Sequence, residues 1–153
     1  MRTKIILLCF AAMLMFTGTA FAIEPDPFLG GQIKFGGDRV ESFAKLRKKF
    51  TPVGGDNVFV HLESKHFNRN SRLSYRYMNN DQLDSVLLFI FPNSRYDAHN
   101  LFIEITRQLD TEYGKGENSS DGQLRTYSPG GMKITLGQRY DQDESVIIMF
   151  SPK

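Results

Sequence analysis

Hydrophobic positions first recur at helical spacing at Val40, Phe43, Leu46 and Phe50, three or four residues apart. That spacing predicts a helix with one apolar stripe. Asp38 and Glu41 stand at the separation of a capping box, which satisfies free N–H groups at a helix start. Thr51-Pro52 then forbids continuation. Three strand-like runs follow. Val58, Val60 and Leu62 alternate with Phe59, His61 and Glu63, and Leu73, Tyr75 and Tyr77 alternate with Ser74, Arg76 and Met78. The third run, Ser85 to Phe91, is apolar on both faces. Asn79-Asn80-Asp81 is turn material, since Asn and Asp tolerate left-handed backbone.

After Pro92 the order restarts. Ser94 and Asp97 repeat the capping-box spacing, Leu101, Phe102, Ile105 and Leu109 form a second stripe, and Gly114 suits a left-handed cap. Runs from Leu124 to Ser128, Met132 to Gln138 and Ser145 to Ser151 come next, the first two separated by Pro129-Gly130-Gly131. The last run is again apolar on both faces.

The two third runs also share sequence. "DQLDSVLLFIFPN" at 81–93 and "DQDESVIIMFSPK" at 141–153 have five identities, where random pairing gives roughly one. Phe43, Leu46 and Phe50 map onto Phe102, Ile105 and Leu109 at a spacing of 59, close to the 60 of the strands. The pattern predicts an N-terminal arm over 23–37 and two helix–strand–strand–strand units, 38–93 and 94–153. A three-stranded sheet with one helix leaves an unpaired edge and half a core. Side by side, two such units make a single α+β domain: one antiparallel sheet of about six strands, both helices on one face.

The other face then becomes the question. Phe59 lies opposite Val58 and Val60, and Phe89 and Phe91 lie opposite Leu88 and Ile90, so both sides of the sheet carry apolar groups. Either the arm, with Phe28, Leu29, Ile33 and Phe35, folds over this surface, or a partner does. The run "RLSYRYM" at 72–78 favours a partner, because Tyr and Arg are enriched where binding energy concentrates. The candidate contact residues are Phe59, His61, Tyr75, Arg76 and Tyr77, although alternation puts Arg76 on the face away from the two tyrosines.

The first 22 residues change the compartment. Arg2 and Lys4 precede an apolar stretch from Ile5 to Phe16, and Ala20-Phe21-Ala22 is a small-x-small cleavage signal. The expected mature chain begins near Ile23, in the bacterial periplasm first and secreted second. It has no later run long enough to span a bilayer. The sequence holds 19 basic and 17 acidic residues, and losing Arg2 and Lys4 leaves 17 of each, which removes the charge argument for nucleic acid. Cys9, the one cysteine, leaves too, so the fold is expected to rest on its core without disulfides.

Catalytic signatures are sparse. His61, Glu63 and His66 do not share one strand face, and "DQDE" at 141–144 lacks the glycine and distal Glu of a calcium loop, so no metal or cofactor is expected. No Gly-x-Ser-x-Gly elbow or phosphate-loop spacing occurs. The tandem plan resembles, as a scaffold only, the beta-lactamase-inhibitor-protein-like folds and the small helix-and-sheet lipoproteins of outer-membrane assembly. That resemblance implies protein contact through a sheet face and carries over no residue. The expected function is therefore a non-catalytic binding module with an envelope or extracellular protein partner. The alternative is a small periplasmic hydrolase with a His/carboxylate site assembled by the fold.

Overall fold

The structure, a computed structural model, describes residues 35–78, 81–140 and 144–153. The expected signal peptide, the arm up to residue 34, Asn79, Asn80 and residues 141–143 lie outside the described residues.

The first helix, α1 (Arg39–Leu46), begins where its cap was expected. The Asp38 carboxylate accepts the N–H groups of Val40 and Glu41 at 2.9 and 3.1 Å. It stops one turn earlier than its apolar stripe predicts, because the chain must reverse before Thr51 to pair with the next strand. Residues 47–50 form that reversal, closed by Phe50 N–H to the Leu46 carbonyl at 2.9 Å. Four strands follow: β1 (Thr51–Gly55), β2 (Phe59–His66), β3 (Arg69–Met78) and β4 (Gln82–Ile90). The second helix, α2 (Arg95–Tyr113), is capped by the Ser94 hydroxyl and ends at Gly114, φ 80°. Four more strands complete the chain: β5 (Glu117–Asn118), β6 (Leu124–Tyr127), β7 (Met132–Arg139) and β8 (Ser145–Pro152).

All eight described strands form one antiparallel sheet in the order β1-β2-β3-β4-β8-β7-β6-β5. This corrects the expected six strands to eight, and each unit is a helix followed by four strands. The two additions are the outermost strands. β1, "TPVGG", is fully exposed and carries a bulge between Pro52 and Gly54, and β5 is two polar residues long. Neither has a hydrophobic rhythm of its own. They are strands because a neighbour supplies the hydrogen bonds, at the edge positions where proline and bulges are tolerated.

The register separates the faces. Val60, Leu62, Leu73, Tyr75, Val86, Leu88, Ile90, Val146, Ile148, Phe150, Ile134 and Leu136 are paired neighbours across β2, β3, β4, β8 and β7, and all are buried. Both helices lie on this side. Leu46 of α1 and Ala98, Leu101, Ile105 and Leu109 of α2 complete the core.

Polar ties fix α2 over the sheet. Arg69, at the start of β3, grips Asp97 with contacts of 2.5 to 3.2 Å, linking the first half of the chain to the second. Gln138 donates to the Ala98 carbonyl at 2.9 Å. At the other end of the helix, Asp110 accepts from Arg125 at 2.9 and 3.0 Å and from the Tyr127 hydroxyl at 3.0 Å. No helix among the described residues is long and apolar enough to cross a membrane.

Candidate functional site: the open face of the sheet

Because strand side chains alternate, the residues between the core positions project to the opposite side. Two transverse rows cross the middle of that side. One runs His61, Ser74, Leu87, Met149 and Thr135, and the next runs Glu63, Arg72, Phe89, Ile147 and Gly137. At their centre stand Leu87, Phe89, Ile147 and Met149, apolar and only half-buried although they occupy the middle of an eight-stranded sheet. Neither α1 nor α2 reaches them.

Cations surround this patch. Arg72 lies over the rings of Phe89 and Phe91, 5.1 and 5.9 Å from their centroids. A stacked guanidinium keeps its in-plane N–H groups for a further acceptor. Arg76, in register with Phe59 and Ser85, is paired to Asp84 beside it. Lys65, Lys133 and Arg139 share the face by alternation. At one corner, Val53, Glu63, Lys65, Asn70, Arg72 and Phe91 line a groove of about 590 Å³.

Of the candidate residues, Phe59, His61 and Arg76 sit on this open side. Phe59 and His61 stack at 5.7 Å with a 13° interplanar angle, and His61 Nδ1 is 2.8 Å from the Ser74 hydroxyl. Tyr75 and Tyr77 do not join them. They are 0% and 2% exposed, inside the core beneath the helices, so these two expected contact residues are not on the surface. Their alternation with Arg76 was legible. The side that the helices choose was not, and it turned the pair inward. Burial pushes both phenols above their ordinary range, and the Tyr75 hydroxyl has no hydrogen-bond partner.

Leu87, Ile147 and Met149 were absent from the sequence candidates. Their signal was present all the same, in the two third runs that are apolar on both sides. Among the described residues no group of three or more His, Cys, Asp or Glu is placed to hold a metal ion.

No protein-family model, curated protein or solved structure matches this chain.

Proposed function

We propose that this chain is an exported bacterial envelope protein, periplasmic first and secreted second, that binds another protein through the open face of its sheet. The observation that carries the reading is the half-buried apolar quartet, Leu87, Phe89, Ile147 and Met149, at the centre of a face that both helices leave open. The edges of the sheet are poor alternatives. β1 is interrupted by Pro52 and a bulge, and β5 is two residues long, features that discourage strand addition.

The surrounding charge selects the partner. Lys65, Arg72 and Lys133 outnumber the Glu63 carboxylate on this face, and that excess would repel a second copy of the same face and attract an apolar surface rimmed by carboxylates. Apolar burial would supply affinity while the rim sets orientation and encounter rate.

The hydrolase alternative draws less support. Ser74, the hydroxyl beside His61, is 2% exposed and closed to a substrate. His99 stands on α2, across the sheet from His61.

A photo-crosslinking residue at position 89, with a control at Glu112 on α2, tests the reading in the envelope of the producing cell. A discrete adduct with another protein from position 89, absent at 112 and lost with Arg72→Glu, supports it. An adduct only with residues 23–34 of the same chain, or only with a second copy, overturns it.

A further inference from the structure

Among the described residues Val40, Val53 and Val58 are apolar side chains left exposed, and Val40 borders a cleft. Val40 is on α1, Val53 on β1 and Val58 in the connection from β1 to β2. Between α1 and this strand edge lies a cleft of about 620 Å³, with Val40, Phe43 and Ala44 on the helix wall and Pro52, Phe59 and Val60 on the strand wall. Sites for small organic ligands span roughly 300–1,000 Å³ and are mostly apolar with a few placed polar groups. This cleft fits that description.

The cleft is a built feature of the backbone. Gly55 has φ +156°, and a Cβ there would stand 2.5 Å from the Phe59 carbonyl oxygen, so only glycine lets the chain turn this closely. At Gly54, which also lines the cleft, an added Cβ would meet nothing within 4 Å.

Three charged side chains border the space, and two are already committed. Arg39 donates to the carbonyls of Asn57 and Asp56 at 2.6 and 2.5 Å and stacks over Tyr77. The Asp56 carboxylate accepts the N–H groups of Phe59 and Val58, both at 2.7 Å, and those bonds hold its pKa below the ordinary carboxylate range. Arg47, just beyond the end of α1, is exposed and engages no carboxylate among the described residues. A cationic ligand would meet two guanidiniums. An anionic head finds one of them uncommitted.

We infer that the cleft between α1 and β1 binds an amphipathic carboxylate, its apolar body against Val40, Phe43, Ala44 and Pro52 and its anionic head on Arg47. This site lies against α1, shares Phe59 with the open sheet face, and does not depend on a protein partner there.

Decanoate titrated into the protein, followed by backbone amide shifts, tests the inference. The expected result is saturable shifts at residues 39–47 and 53–60. Decanol, of equal length without the charge, binds about tenfold more weakly, the scale of one charge-assisted contact. Arg47→Glu weakens decanoate by about tenfold or more with an unchanged urea midpoint, and Val40→Asp weakens it as well. Phe89→Asp, which attacks the open face, leaves decanoate binding intact. Shifts centred on Leu87, Phe89 and Met149, shifts that do not saturate, or equal binding of decanol and decanoate would overturn it.

Discussion

Leu88 and Ile148 face each other across the central β4–β8 pair, 60 residues apart and at matching places in the similar runs 81–93 and 141–153. On either side, Val86 meets Phe150 and Ile90 meets Val146, each being the counterpart of its neighbour's partner. The two halves thus meet as two copies meet across a two-fold axis, with a like surface on both sides. The axis passes between Leu88 and Ile148. On the open side, the same relation sets Leu87 beside Met149 and Phe89 beside Ile147, so the candidate binding patch inherits this symmetry.

Truncation at the axis should be costly from either half. Both residues are fully buried, and Leu88→Ala and Ile148→Ala should each lower stability by about 2–5 kcal/mol. As direct neighbours they should couple, the double variant departing from the sum of the singles by about 0.5 kcal/mol or more. Urea unfolding of the four-member cycle measures this. A midpoint unmoved by Leu88→Ala would show that the halves do not join here.

Acid should loosen the contact between the halves. Hydrogen bonds from Arg69, then the Asn93 N–H, hold the Asp97 pKa at about 2. A lowered carboxylate pKa contributes stability that is present above the unfolded value near 3.9 and is lost as pH falls toward 2. The pair is about one-fifth exposed, so the loss should be about 1–2 kcal/mol. Asp97→Asn should be less stable than wild type at neutral pH and show a flatter decline between pH 4 and 2. Parallel pH curves for the two proteins would remove Asp97 from the account.

Tyr75→Phe should stabilise the protein. The ring is fully buried, and its hydroxyl is desolvated without a hydrogen-bond partner, a penalty of about 1–3 kcal/mol. Removing the oxygen keeps the packing and should raise the urea midpoint by the equivalent of about 1 kcal/mol. A fall would mean that this hydroxyl is bonded in solution.

Base should act through the tyrosines. Burial, then the hydrogen bond to Asp110, pushes the Tyr127 pKa up to about 12, and burial also raises Tyr75 and Tyr77. For a raised phenol, stability is complete below the unfolded value near 10 and is lost as pH rises toward 12. Phenolate absorbance and circular dichroism should therefore change together over that interval, because buried phenols ionise as the fold opens. Tyr127→Phe should show a smaller loss over the same range. Phenolate formation complete by pH 10 with the fold intact would contradict the burial of all three rings.

The caps at Asp38 and Ser94, the stripes that became α1 and α2, and the six inner strands were all readable from local pattern. Local pattern failed at β1 and β5. Pro52, Gly54, Gly55, Glu117 and Asn118 carry no period-2 signal, and only a neighbour with unmet hydrogen-bonding groups makes such residues a strand. It failed also at residues 47–50, where a helical stripe gave way to the reversal that brings Thr51 to Glu63.

What the sequence by itself determined was the list of residues that share a side: Tyr75 with Tyr77 and Leu73, and Arg76 with Ser74 and Arg72. Which side the helices cover was decided only by tertiary structure. A strand's period of two assigns neighbours to opposite faces without marking either as the interior, so burial waits on where α1 and α2 dock. That one docking choice sent the two tyrosines inward and left Phe59, His61, Arg76 and the quartet around Phe89 facing out.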